Sequence, residues 1–201
     1  MGRDDFLRGL HARISDERVL AAMAAVPREL FVDPQLAAAA YADCPLPIGG
    51  GQTISQPALV AGMCQRLDLH AGERVLDIGT GSGYHAAVMS RLCEHVYGIE
   101  LDASLAERAA QALAAGGFDN VTVLAGDGAR GLPSEAPFDA INVAATAREG
   151  VPPALEDQLA LGGRLIAPVA AGDDERLTLV RRTDEGLLRS RLEAVRFVPL
   201  R

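Results

Sequence analysis

The chain contains no lysine and no tryptophan, and its 201 residues include only five Phe and three Tyr. All 19 basic residues are therefore arginine, which together with heavy alanine use reads as compositional bias rather than function. Aromatics reach 4% against 49% hydrophobic residues, so a core must be built mostly from Ala, Leu and Val. Excess positive charge is missing too. The formal net charge is −8, which argues against a nucleic-acid surface, because phosphate binding needs a clustered positive field. The densest basic cluster (Arg181, Arg182, Arg189, Arg191, Arg196) is interleaved with Asp184, Glu185 and Glu193 and reads as a solvated hairpin face. Cysteine is scarce: Cys44, Cys64 and Cys93 form no CxxC, so neither a zinc ribbon nor a dithiol motif is available. An odd, unpaired set suits a reducing cytoplasm. No long hydrophobic run exists either. Leu20 to Val26 stops at Pro27, short of the roughly 20 residues a membrane span needs, and Met1 to Leu10 alternates charge unlike a signal peptide. His11, His70, His85 and His95 are scattered without ligand spacing, so no metal is expected.

What is present is alternation. Asp16 to Val26 reads as a helix with Ser15 or Asp16 as cap, and Pro34 to Tyr41 as a second, short one. Asp43 to Gln56 holds too many Pro and Gly residues for regular structure and reads as a functional loop. Ser55-Gln56-Pro57 then opens a helix to about Leu67, with Ser55 as cap. Strands follow at Arg74–Ile78, His95–Glu100, Val121–Ala125, Phe138–Ala144 and Arg164–Val169. Helices fall at Tyr84–Cys93, Ser104–Ala115 (behind Asp102) and Pro152–Leu159. Such alternation predicts an α/β fold, a doubly wound, mostly parallel sheet covered by helices on both faces. Arg176–Arg182 and Arg191–Leu200, around a turn at Asp184-Glu185-Gly186, predict an antiparallel C-terminal hairpin. With no linker in sight, residues 1–201 read as one domain. Within it, 1–70 supply N-terminal helices and the loop, and 71–201 the cofactor-binding sheet.

The strongest local signal is Asp77-Ile78-Gly79-Thr80-Gly81-Ser82-Gly83, a strand feeding a glycine-rich turn and then a helix. Glycine lets backbone approach a ligand closely, and a helix N-terminus offers free N–H groups. The dinucleotide pattern G-x-G-x-x-G would require glycine where Tyr84 stands. Asp77 suits a ligand carrying ammonium and sulfonium better than a pyrophosphate, which favours S-adenosylmethionine over NAD. Glu100, with Leu101 beside it, ends the second strand where an acid can accept from both ribose hydroxyls. Asp127, in Gly126-Asp127-Gly128 after the third strand, can accept from the adenine amino group. Asp139 reads as structural as readily as functional. The expected cofactor-binding set is Asp77, Gly79, Thr80, Gly81, Ser82, Glu100, Leu101, Asp127 and Gly128.

The run Pro45-Leu46-Pro47-Ile48-Gly49-Gly50-Gly51-Gln52-Thr53-Ile54-Ser55-Gln56-Pro57 resembles the signature of protein-L-isoaspartate O-methyltransferases. So do Val26-Pro27-Arg28 with Phe31-Val32, Gly126-Asp127-Gly128, Ala136-Pro137-Phe138-Asp139 and Arg196-Phe197-Val198-Pro199-Leu200. The similarity runs from about residue 15 onward. It implies a Rossmann-like class I methyltransferase fold and methylation of the free carboxylate of L-isoaspartate in damaged proteins and peptides, with no nucleic-acid or membrane partner. On the same resemblance Thr53, Ile54 and Ser55 cover the cofactor, Ile54, Ser55 and Val198 contact substrate, and Ser55 is the active-site serine. One departure bears on substrate choice: Asn142-Val143-Ala144-Ala145-Thr146 stands where the family commonly shows a Thr-Ala-Ala run. Two alternatives stay open at this point, a same-fold enzyme acting on another carboxylate and a catalytically silent cofactor-binding regulator.

Overall fold

The computed structural model describes residues 2–172 and 174–200. Two helices come first, α1 (Arg3–His11) and α2 (Glu17–Ala25). The second begins where the sequence indicates, because Asp16 accepts from the Arg18 amide, and it ends before Pro27. The first lies in a stretch whose alternating charge gives little helical pattern, and it buries only Phe6 and Leu10. Pro34–Ala39 is a 3-10 helix rather than an α-helix, capped by Asp33.

The expected irregular loop is instead a two-stranded antiparallel hairpin, β1 (Leu46–Gly49) and β2 (Gln52–Ile54). Its strands pair only with each other, so Pro47 faces no missing ladder bond on an outer neighbour. Helix α3 (Pro57–Leu67) starts one residue later than expected. Gln56 is the N-cap position, and the side chain that meets the helix N-terminus is that of Asp43, whose Oδ1 accepts from the Ala58 amide at 2.9 Å. Ser55 therefore does not cap the helix.

The remaining elements are β3 (Arg74–Ile78), α4 (Tyr84–Met89), β4 (His95–Glu100), α5 (Ala103–Ala115), β5 (Val121–Ala125), β6 (Phe138–Val143), α6 (Pro153–Asp157), β7 (Leu159–Ala171), β8 (Asp174–Thr183) and β9 (Gly186–Ala194). They build a seven-stranded sheet of order β5-β4-β3-β6-β7-β8-β9. The strands from β5 to β7 are parallel, while β8 and β9 add on antiparallel. The hairpin's second strand is shifted from the expected Arg191–Leu200. Pairing ends at Ala194, and the chain beyond runs as a strap. Helix α4 is also shorter than expected, stopping at Met89.

Side chains two apart share a face of the sheet. Val75, Ala140 and Ile166 point into one core with α2 and α3, whereas Leu76, Ile141 and Leu165 point into the other with Leu155 of α6. Fully buried side chains such as Leu76, Ile78 and Ile141 each contribute roughly 1.5–3 kcal/mol. Part of the basic hairpin face is structural. Arg182 donates to the carbonyls of Glu156, Asp157 and Leu159, and Arg189 pairs with Glu156 at 2.7 Å. Asp139 is structural as well, accepting from the Arg74 amide at 2.9 Å. Among the described residues no helix is long and apolar enough to cross a membrane.

Candidate active site

Strand order reverses at β3, which lies between β4 and β6. In open α/β sheets this reversal leaves a crevice beyond the carboxyl ends of the strands, and the expected residues gather there. Gly79 and Gly81 have φ of +77° and +57°, left-handed backbone that glycine adopts at no steric cost. The turn they make folds back on β4: the Gly79 and Thr80 amides both donate to the Ile99 carbonyl, at 2.8 and 3.2 Å. The Gly81 amide donates to Glu100 Oε2 at 2.9 Å, and the Asp102 amide to Glu100 Oε1 at 3.0 Å. These amides are thus spent inside the protein rather than open to a ligand. What the turn presents is a buried carboxylate, Glu100, held by one N–H on each oxygen and still carrying free lone pairs.

Three small cavities line up here. One of about 70 Å³ is bordered by Gly79, Gly81, Glu100, Leu101, Gly128 and the strap from Val198 to Leu200. A second, of about 30 Å³, is bordered by Thr53, Ile54, Ser55, Thr80, Ser82 and His85. A third, of about 60 Å³, is bordered by Ser55, Gln56, Leu59, Arg196 and Val198. Thr53 and Ala144 border all three. A wide groove of about 670 Å³ continues from the third along Gln56, Leu59, Gly62 and Arg66. The hairpin β1–β2 and the strap are thus the two walls of the crevice, and Ser55 stands where its halves meet.

Two expected residues are placed differently. Asp77 is wholly buried and borders none of these cavities. Its Oδ1 accepts from Asn142 Nδ2 at 2.7 Å, while its Oδ2 and Asn142 Oδ1 have no partner. Burial pushes the Asp77 carboxyl up to about 6, against the lowering effect of the Asn142 hydrogen bond. Asn142 Nδ2 also lies 3.2 Å from His85 Nδ1, and His85 Nε2 lies 3.5 Å from Cys64 Sγ. Burial brings His85 down to about 4 and pushes the Cys64 thiol up, so both are neutral. Asp127 is exposed; its Oδ1 accepts from the Ala129 amide at 3.0 Å and its Oδ2 lies 3.4 Å from Arg130 Nε. It remains beside the 70 Å³ cavity only through its neighbour Gly128.

Three supporting residues were given no site role by the sequence, although Arg28 stands in the Val26-Pro27-Arg28 motif. Arg28 is fully buried and donates to the carbonyls of Ala40, Ala42, Cys44 and Ser55, the last at 2.9 Å, which fixes the Ser55 backbone. Arg108 donates to the Ile48 carbonyl at 2.7 Å and ties the hairpin to α5. Glu175 Oε1 accepts from the Thr146 hydroxyl at 2.5 Å and the Phe197 amide at 2.7 Å. Thr146 in turn donates its amide to the Val198 carbonyl at 2.7 Å and accepts from the Leu200 amide at 2.9 Å. The Thr146 backbone therefore holds the strap, and its hydroxyl is bound to the Glu175 carboxylate that holds Phe197.

The group that such a crevice suits is adenosyl-like: an acid for vicinal hydroxyls, apolar Leu101 at the rim, and a buried, unpartnered acidic oxygen near the turn. Among the described residues no three His, Cys, Asp or Glu side chains gather as a metal site would require. The doubly wound sheet, its switch-point crevice and its match to solved protein-L-isoaspartate O-methyltransferases, with TM-scores of 0.89 and 0.88, make the fold that of a class I methyltransferase. Residues 5–201 match the family described as protein-L-isoaspartate(D-aspartate) O-methyltransferase (PCMT). Protein-L-isoaspartate O-methyltransferase 1 of Syntrophobacter fumaroxidans is 51% identical over 96% of this chain and 88% of its own length. The corresponding protein of Roseiflexus castenholzii is 53% identical, over 93% and 85%. A crystal structure from Plasmodium falciparum, assigned as a protein-L-isoaspartate O-methyltransferase and holding S-adenosyl-L-homocysteine, superposes with a TM-score of 0.89. It is 28% identical, and the match covers 100% of this chain and 99% of that one. The chain belongs to the protein-L-isoaspartate O-methyltransferase family.

Proposed function

We propose that the chain repairs damaged proteins and peptides by transferring a methyl group from S-adenosylmethionine to the free carboxylate of L-isoaspartyl residues. The observation that carries this reading is Ser55. It borders both the cavity beside the glycine turn and the cavity opening onto the wide groove. Its carbonyl is held by Arg28, while no hydrogen bond among the described residues takes its hydroxyl. Residues 1–70 and 71–201 act here as one unit, since helices α2 and α3 share a core with the sheet.

S-adenosylmethionine supplies an electrophilic methyl group on a sulfonium. The acceptor carboxylate, with a pKa near ~4, is already ionised at neutral pH, so this chain needs no strong general base. Its task is alignment, which can be worth roughly 7–11 kcal/mol. Glu100 accepts from ribose hydroxyls with the lone pairs its two amides leave open. Leu101 and Gly128 flank the base, with Asp127 at the rim; Thr80 and Ser82 line the methionine end, and Asp77 balances its ammonium. Thr53, Ile54 and Val198 form the throat between cofactor and substrate. There they exclude water that would blunt the carboxylate. The Ser55 hydroxyl donates to the carboxylate and aims it. The partners are cytoplasmic proteins and peptides that carry L-isoaspartate.

The test is methyl transfer to peptides that differ only in an isoaspartyl or aspartyl link, with parent and Ser55→Ala. The isoaspartyl peptide is methylated and the aspartyl peptide is not. Losing a hydrogen bond to a charged group costs about 1.5–3 kcal/mol, so kcat/KM in the variant falls roughly 10- to 150-fold. Because Ser55 is not a helix cap, the melting temperature stays near that of the parent. Equal methylation of both peptides would overturn the reading, and an unimpaired variant would remove Ser55 from it.

A further inference from the structure

We infer that the groove beyond Ser55 binds an acidic peptide segment flanking the isoaspartyl residue, and that Arg196 selects for it; the inference rests on the activity proposed above. The protein as a whole is acidic, with a formal net charge of −8. The groove is the opposite: Arg13, Arg66 and Arg196 line it against the single carboxylate of Glu193. Two of these cations are already paired. Arg66 lies 3.1 Å from Glu193, and Arg13 lies 3.0 Å from Asp43. Arg196 has no carboxylate within ion-pair distance among the described residues. It is also the cation that borders both the groove and the small cavity containing Ser55.

Its backbone is fixed from both sides by one residue. The Val195 amide donates to the Glu175 carbonyl at 2.9 Å and the Phe197 amide to Glu175 Oε1 at 2.7 Å. The same oxygen accepts from Thr146, so the Glu175 carboxylate is occupied in holding the strap. A cation on so anchored a stretch presents a defined point charge next to the reacting carboxylate. Fields from charges elsewhere on the surface fade over a Debye length of about 8 Å in physiological salt. The local cation, not the overall charge of −8, therefore decides which flanking residues are favoured. Opposite charge at such a rim mainly speeds productive encounter and fixes register.

The experiment compares isoaspartyl peptides identical except for flanking Glu, Gln or Lys residues, measuring kcat/KM with parent, Arg196→Gln and Arg196→Glu. Arg191→Gln, which removes the same charge from β9 outside the groove, is the control. In the parent the Glu-flanked peptide exceeds the Gln-flanked one by about two- to fivefold, the range of a half-exposed ion pair. That ratio collapses to near one in Arg196→Gln, reverses in favour of Lys in Arg196→Glu, persists in Arg191→Gln, and shrinks in 0.5 M salt, where screening is about twice as tight. A parent without charge preference, or a preference that survives in Arg196→Gln, overturns the assignment while leaving the activity intact. A parent that methylates none of the isoaspartyl peptides overturns the activity itself, and the groove assignment with it.

Discussion

Asp77 is a carboxylate that the fold itself holds at a cost, and Asp77→Asn measures that cost. Burial raises its pKa from the ordinary 3.8 to about 6, against the lowering effect of hydrogen bonding from Asn142 and, more weakly, from Thr80. Each tenfold change in proton affinity is worth about 1.4 kcal/mol, so an ionised Asp77 removes about 3 kcal/mol from the stability of the cofactor-free protein. The sign follows from linkage. Between pH 4 and 6 the folded state holds a proton that the unfolded state has lost, so stability falls as pH rises through that window. Below it, Asp77 is neutral in both states and costs nothing. The amide in Asp77→Asn keeps the acceptor for Asn142 but buries an NH2 group in place of the unpartnered Oδ2, an offset of roughly 1–2 kcal/mol.

Above pH 7 the variant is therefore more stable than the parent by about 1–2 kcal/mol, and near pH 4 it is less stable by a similar amount. For a chain of this size that is about 2–8 °C in melting temperature. The assay is a series of thermal melts from pH 4 to 8, without cofactor, followed by circular dichroism. The two curves of melting temperature against pH cross between pH 4 and 6. A variant that is less stable than the parent by a constant amount at every pH would refute the reasoning, because Asp77 would then be an ordinary satisfied carboxylate. On the role proposed for Asp77, the same substitution also removes the anion opposite the methionine ammonium. S-adenosylmethionine binding by calorimetry then weakens roughly tenfold or more at pH 8, and unchanged affinity would take Asp77 out of the site.

Glu100→Gln puts an amide NH2 against one of the two backbone N–H groups that hold Glu100. S-adenosylmethionine affinity falls roughly 10- to 150-fold by calorimetry in a protein that still folds, and unchanged affinity would take Glu100 out of the site. Arg28→Met leaves the carbonyls of Ala40, Ala42, Cys44 and Ser55 without their donor. It costs about 2–4 kcal/mol in denaturant unfolding. Arg28→Lys does not restore it, because an ammonium cannot span the same fan of acceptors; full rescue by lysine would refute the hub role.

The parallel core was legible because its signals are local. Arg74–Ile78, His95–Glu100 and Val121–Ala125 are apolar runs bounded by turns, and they occur with the bounds the sequence indicates. Legibility failed where local chemistry and tertiary context part. Pro47 and Gly49–Gly51 argue against a strand, yet a hairpin that pairs only with itself tolerates them. Strand β9 is an edge with little burial alternation, so its start at Gly186 carries no periodic mark. Ser55 looks like a helix cap because cap preference is read from the adjacent residue. The protein uses Asp43, fifteen positions from Ala58, for that purpose.

The site divides in the same way. Glu100, Gly79 and Gly81 are readable because strand, turn and acid follow one another along the chain and close on each other by short bonds. The residues that make those groups useful come from far away in sequence: Arg28 beneath Ser55, Arg108 on the hairpin, Asn142 on Asp77, and Glu175 on the strap. None of these belongs to a pattern of period 2 or 3.6, and each is a polar side chain whose partner is a backbone group or a buried carboxyl. A buried polar group without its partner costs about 1–3 kcal/mol, so each such residue binds two distant segments together more stringently than an apolar contact of similar size. Thr146 shows the consequence. Its backbone holds the strap at Val198 and Leu200, while its hydroxyl binds the Glu175 carboxylate that also holds Phe197. On the roles proposed for Arg196 and Val198, Thr146→Val, which takes the hydroxyl from Glu175, changes the ratio of kcat/KM between Glu- and Gln-flanked isoaspartyl peptides more than it changes kcat. An unchanged ratio with lowered kcat would refute this.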